Sequence, residues 1–389
     1  MLSFIVFSML LNSMSVIILQ LSQNQQHSYT GLGMLEFFKD IPIALVSIFM
    51  VDYIKKRSYY ISLSIALIIC TLCSFTIPFV SEFWFLKIWF ILIGISFSIG
   101  KICVFSIIKN ISDNEKDFSK TMSRTEAAFM LGVFIVNIEF AIILNSDYKD
   151  YWKFGFWLVG IISSWAAFQF YRIDKQNVYE IDKSHGKEVI DFRILFDYKS
   201  ILFFTIVVII VFTEQIFNSW LPTFYKHTLK ADSFFALQSS AFLALFSFIG
   251  RLLASKAVVK FSPMKIFFFC LISGIILTSS AYIIGQDTDV KVKILMFLFP
   301  MVGIFTAPLY PMLNSKYLSK FSERRVGKIV SIIILFTSLG GSIGSMSTAY
   351  IFQKNLGNYY LLFATIPLIL ILIFSTFFSI KEKISEYIK

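Results

Sequence analysis

Seven charged side chains interrupt stretches that are otherwise apolar: Glu36, Lys39, Asp40, Lys101, Glu126, Glu214 and Arg251. At the centre of a bilayer a charged side chain costs about 2.5–3.5 kcal/mol on insertion scales, so each must lose its charge, find a partner or serve a solute. Glu36 precedes Lys39 by three residues and Asp40 by four, which puts all three on one helical face. That trio reads either as an interfacial cluster reaching to the outer surface or as an outer gate or proton site, with Asp40 a candidate carrier. Lys101 is placed to bind an anionic group or to pair with Glu126, which could instead pair with Arg124 or cap its helix. Glu214 follows the apolar run ILFFTIVVIIVFT and has no Lys or Arg nearby in its own segment. Such a carboxylate takes up a proton or meets a cation from another helix. Both options suit proton coupling. Asn218 shares its face at i+4, and Gln215 and Trp220 add polar and stacking surface. Tyr310 and Asn314, flanking Pro311, offer hydrogen bonds to a solute or to neighbouring helices, as do Asn12 and Ser13 more weakly.

Other chemistry is absent. The chain has no Walker A sequence, HExxH, GxSxG or EF-hand loop, so no nucleotide hydrolysis, enzymatic activity, metal or cofactor is expected, and transport energy would come from a gradient. The four cysteines, Cys70, Cys73, Cys103 and Cys270, all lie in apolar runs and read as small packing residues. His27, His185 and His227 read as solvated surface residues.

The elements that must hold these side chains follow from composition. Hydrophobic residues make up 57% of the 389, charged residues only 15%, and mean hydropathy is +0.75. Soluble domains carry about 25% charged residues, so the chain reads as an all-α integral membrane protein. Twelve apolar runs are long enough to cross a bilayer. The first spans 1–22, the second 34–53 and the last 358–380. The net charge of +11 is not that of a nucleic-acid-binding face, because Lys and Arg collect in alternate loops. That alternation puts both termini in the cytoplasm. The longest polar stretch, 172–197, divides the chain into an N-terminal six-helix bundle, 1–171, and a C-terminal one, 198–389. Gly340, Gly341 and Gly344 in the eleventh run read as close helix packing.

The loop after the second run, Ile48-Phe49-Met50-Val51-Asp52-Tyr53-Ile54-Lys55-Lys56-Arg57, keeps the Asp and the basic cluster of the G-x-L-x-D-x-x-G-R-K signature but neither glycine. A second copy begins Gly250-Arg251, has Ala254 at the Asp position, and continues to Lys260-Phe261-Ser262-Pro263-Met264-Lys265. With twelve spans and a basic central linker, this plan resembles the major facilitator superfamily. The second copy is similar to the sugar-transporting branch that includes fucose permeases. The stretches LEFFKDIPIALVS, MSRTEAAFMLGVF, TEQIFNSWLPTFYK and APLYPMLNS are similar to a bacterial group of facilitators related to proposed importers of citrate-type siderophores.

The resemblance implies a secondary transporter in a bacterial inner membrane, rocking two bundles around a central site. The residues point to proton-coupled uptake of a small anionic solute, bound by Lys101, Glu214, Asn218, Tyr310 and Asn314. Glu214, Glu126 and Asp40 are the proton carriers and Asp52, Arg57 and Arg251 the gating residues. The expected partners are the solute, protons and the lipid bilayer, with the chain acting as a monomer. Sugar–proton symport is the runner-up, followed by siderophore import and drug export. From another class, a receptor or assembly partner on the same scaffold is the alternative, and the absence of a large extramembrane segment argues against signalling.

Overall fold

The computed structural model describes residues 1–23, 28–50, 53–54, 58–80, 82–111, 115–176, 197–258, 260–285, 295, 298–318 and 323–387. They form twelve membrane-crossing helices in two six-helix bundles. The first bundle holds α1 (Leu2–Asn12 continued by Met14–Gln23), α2 (Tyr29–Gly33 and Leu35–Phe49), α3 (Tyr59–Thr76), α4 (Phe83–Asn110), α5 (Glu115–Leu144) and α6 (Phe156–Gln176). The second holds α7 (Tyr198–Thr223), α8 (Ser233–Ala257), α9 (Pro263–Gly285), α10 (Val302–Thr306 and Leu309–Leu318), α11 (Glu323–Gln353) and α12 (Tyr360–Tyr387).

Ten described segments are long and apolar enough to span a membrane. The other two crossings are α2 and α10. The first carries Glu36, Lys39 and Asp40, and the second is described only in two short pieces beyond residue 301. Helix α2 begins at Tyr29, where Ser28 caps it by accepting from Gly31 N at 3.1 Å, rather than at residue 34 as the hydropathy suggests. Helix α6 continues to Gln176, into the stretch expected to be linker. Residues 177–196 lie outside the described residues, as do His27, His185, Asp52 and Arg57.

Helix α1 is interrupted at Ser13. There Asn12 donates to Ser8 O at 3.0 Å and Ser13 Oγ to Leu10 O at 2.7 Å, so side chains compete for the carbonyls that would continue the helix. Within the first bundle α1 packs on α5, α2 on α4, and α3 on α4 and α6; within the second α7 packs on α11 and α12, α8 on α10, and α9 on α12. Three helix pairs join the bundles: α5 with α8, α2 with α11, and α1 with α7. Exposed apolar side chains such as Leu72, Ile161, Phe269 and Phe377 lie on α3, α6, α9 and α12, which therefore face lipid. The glycine run in α11 is a packing device. Gly340 and Gly344 face the backbones of Val208 and Phe212 on α7, where a Cβ would collide. All four cysteines are buried and unpaired.

Candidate functional site

A cavity of about 170 Å³ lies between the bundles, lined by the six helices of the three joining pairs together with α4 and α10. All seven charged residues except Glu36 line it, together with Asn12, Asn218, Gln215 and Tyr310. Glu36 stands just behind the wall as the partner of Lys39. Six of the seven charges are sorted into two clusters, each of which ties one bundle to the other, and Lys101 stands apart.

Arg251 is the centre of the first cluster. It lies six residues before the end of α8, roughly 9 Å inside at 1.5 Å per residue, and is 7% exposed. Its Nη1 meets Glu126 Oε2 of α5 at 3.2 Å and donates to Glu126 O at 3.2 Å. Nε donates to Ala307 O at 3.3 Å, and Nη2 stands 3.9 Å from Glu214 Oε1 of α7. One guanidinium therefore serves two carboxylates on different bundles. Of the two, Glu214 is the looser, because its Oε1 accepts no hydrogen bond among the described residues. The partner expected for Glu126 was Lys101 or Arg124, and the structure gives it Arg251 instead. Helix α5 lies along α8, which delivers Arg251 directly to it, while the Arg124 side chain points outward.

Lys101 is left without a carboxylate within 4.0 Å among the described residues. Its ammonium stands 5.6 Å from the Phe97 ring centre and 5.7 Å from that of Phe105, a cation–π arrangement.

The second cluster sits on α2. Glu36 is fully buried and Lys39 and Asp40 are each 7% exposed, so the trio does not reach an interface. The earlier start of α2 is the reason: it sets Glu36 and Asp40 about two and three turns inside the helix. Lys39 pairs with Glu36 and stands 3.8 Å from Asp40 Oδ1. Glu36 Oε1 accepts from Gln215 Nε2 at 2.5 Å and from Ser219 Oγ at 2.7 Å, both on α7. Asp40 Oδ2 accepts from Ser342 Oγ of α11 at 3.0 Å. Buried charges need such a full set of partners.

Asn218 and Tyr310 line the cavity as expected, whereas Asn314, one turn beyond Tyr310, is buried outside it with Oδ1 lacking a hydrogen bond. Trp220 offers the cavity no stacking surface. It is buried against Phe352, ring centres 5.6 Å apart, and donates from Nε1 to Ser345 Oγ at 2.9 Å. His227 is exposed, yet its ring meets Tyr29 edge-on and its Nε2 lies 3.2 Å from Ser22 Oγ across the α1–α7 contact. Ser219 and Ser342 were not singled out from the sequence; only the i+4 spacing of Ser219 from Gln215 pointed to a shared face. No group of three His, Cys, Asp or Glu side chains among the described residues is placed to hold a metal ion.

Residues 1–345 match the family model of the Major Facilitator Superfamily. Comparison with curated proteins finds no match. Among solved structures, a D-xylose–proton symporter is similar with a TM-score of 0.77 at 16% identity, covering 96% of this chain and 95% of that one. The E. coli fucose:proton symporter has a TM-score of 0.67 at 14% identity and covers 97% of each chain. A bacterial homologue of the iron transporter ferroportin, in an outward-facing state, has a TM-score of 0.67 at 12% identity, covering 97% of this chain and 99% of that one. At these identities the likeness is one of fold.

Proposed function

The chain belongs to the major facilitator superfamily, whose members are membrane transporters rather than enzymes, and from that premise we propose that it takes up a small carboxylate-bearing solute together with protons. The observation that carries this reading is the state of the three cavity cations. Lys39 and Arg251 are each committed to carboxylates, and among the described residues Lys101 has none within 4.0 Å. A cavity ammonium that no carboxylate holds in a direct ion pair is free to receive an anion. Arg251 carries one positive charge against two carboxylates, which leaves one charge for a proton. Glu214 is the better place for that proton, because Glu126 has the shorter ion pair and Glu214 Oε1 has no donor. Glu126 and Asp40 are the alternative carriers. An anion at Lys101 makes the cavity more negative and so favours protonation nearby, which couples the two ligands. When the bundles rock, Glu126 must part from Arg251, and Glu36 from Gln215 and Ser219. Arg251 thereby acts as a gate as well as a charge partner.

A sugar is the second reading. It is supported by the shared fold with the D-xylose and fucose symporters and by the hydrogen-bonding side chains of Gln215, Asn218 and Tyr310. A citrate-type siderophore fits less well, because the cavity falls below the roughly 300–1,000 Å³ of pockets for drug-sized ligands. The test is uptake of labelled malate and D-xylose into proteoliposomes under an inward proton gradient. Malate uptake that is lost in Lys101→Gln supports the proposal. Xylose uptake that Lys101→Gln leaves intact overturns it in favour of the sugar.

A further inference from the structure

The cavity has two unlike walls. Beside Lys101, on the N-terminal bundle, stand three phenylalanines from three helices: Phe4 of α1, Phe97 of α4 and Phe129 of α5. Their ring centres lie 6.5 Å apart for Phe4 and Phe97, 6.2 Å for Phe4 and Phe129, and 6.1 Å for Phe97 and Phe129. These rings form one continuous apolar surface with Met130 at its edge. The C-terminal bundle adds the uncharged hydrogen-bonding groups Gln215, Asn218, Tyr310, Thr337 and Ser338, and the remaining polar lining of the N-terminal bundle is Asn12 and the ion-paired Lys39, Asp40 and Glu126. Lys101, the cavity cation with no carboxylate within 4.0 Å among the described residues, sits beside these rings, with its ammonium over Phe97 and Phe105.

From this arrangement we infer that the solute is a small monocarboxylate on an apolar, preferably aromatic, skeleton. The inference rests on the carboxylate reading above and narrows it. A carboxylate that reaches Lys101 must lay the rest of its molecule along the three rings. An aryl or alkyl skeleton buries apolar surface there and gains ring–ring contact. A sugar or a tricarboxylate would press hydroxyl or carboxyl groups against rings that offer no donor or acceptor. Each such group loses its water without replacement, a penalty of roughly tenfold or more in affinity. Glu214 lines the same cavity and its Oε1 accepts no hydrogen bond among the described residues, so an amine on the skeleton would have an acceptor within the cavity. The shared chemistry is thus a carboxylate on an apolar body, with or without an ammonium group.

The experiment is calorimetric binding to the purified full-length protein in nanodiscs, with four probes: 3-phenylpropanoate, L-phenylalanine, citrate and D-xylose. One or both of the first two should bind roughly tenfold or more tightly than citrate and xylose. Tighter binding of phenylalanine would place an amine at Glu214, and tighter binding of phenylpropanoate would exclude one; either supports the inference. Phe97→Leu keeps an apolar side chain but removes a ring. It should weaken the aryl probe several-fold, while Phe377→Leu on the lipid face of α12 should leave binding unchanged. Citrate binding at least as tightly as the aryl probes, with Lys101→Gln abolishing it, would overturn this inference and leave the carboxylate reading intact. Xylose binding best, with no effect of Lys101→Gln, would overturn both.

Discussion

Removing Arg251 leaves two carboxylates facing each other across the bundle interface, and the size of the resulting loss can be worked from the geometry. Arg251 is almost fully buried and holds Glu126 at 3.2 Å through a direct ion pair, with Glu214 at 3.9 Å. Breaking a buried pair by deleting one partner costs about 3–5 kcal/mol, because the other charge stays buried and alone. The two glutamate side chains retain 18% and 20% of their exposure, which lets water soften that penalty. Arg251→Met should therefore lose about 2–4 kcal/mol. Adding Glu126→Gln removes the stranded charge and should restore part of it, giving a coupling energy of about 1–3 kcal/mol. The same cycle with Glu214→Gln should give a smaller coupling, because its contact is longer and makes no hydrogen bond. A cycle between Lys101 and Glu126 should be additive within about 0.5 kcal/mol. The assay is thermal unfolding of detergent-purified single and double variants followed by fluorescence-detected size exclusion. Additivity of Arg251 with Glu126, or a larger coupling of Lys101 with Glu126, would refute the pairing.

Further outcomes follow from the same contacts. Lys39→Met should abolish accumulation of folded protein, and Lys39→Met with Glu36→Gln and Asp40→Asn should recover it, as measured by membrane expression; an unaffected single variant would mean that Lys39 does not hold the two acids. Gly341→Ala puts a Cβ 2.9 Å from Asp40 Oδ2, so stability should fall by about 1–3 kcal/mol while Ile343→Ala, on the lipid face, changes little. A thermal shift that ranks the two variants the other way would contradict the packing of α11 on α2. Single cysteines in place of the exposed Tyr148 and Lys354 should react with an impermeant thiol reagent on intact cells, and one at Phe261 should not; the reverse pattern would invert the membrane orientation.

Much of the architecture was legible in the sequence, because a span is defined by length and hydropathy and those are local properties. The twelve crossings were readable for that reason, and the small side chains of Gly340 and Gly344 marked a close helix contact. The start of α2 was not. Polar residues between 25 and 31 lower its hydropathy, yet Ser28 caps a helix there, and the shift moves Glu36, Lys39 and Asp40 from an expected rim into the interior. The members of the site were also readable, since charges in apolar runs stand out one at a time. Their partners were not, because pairing depends on which helices touch. Similar depth offered Lys101 as a partner for Glu126, with Arg124 or a capping role as alternatives, whereas the α5–α8 contact brings it to Arg251. Arg251 read as a gating residue at a helix end and lies on the cavity wall. Trp220 looked like stacking surface because it shares a helix with Glu214, but it lies six residues on and so turns to a different side. Beyond the i+4 spacing of Ser219 from Gln215, Ser219 and Ser342 carry no mark in the sequence, and the fold shows that they satisfy buried carboxylates.

The central claim, that an anion at Lys101 is bound together with a proton at Glu214, is tested most directly by counting protons on binding. Calorimetric titration of the purified protein with 3-phenylpropanoate in two buffers of different ionisation enthalpy gives the number taken up per ligand. The count follows from linkage and needs no membrane, so passive leakage of a weak acid does not enter. The expected result is net uptake approaching one proton per carboxylate for the wild type, almost none for Glu214→Gln, and no binding for Lys101→Gln. Binding without proton uptake, or uptake that Glu214→Gln leaves unchanged, would contradict it.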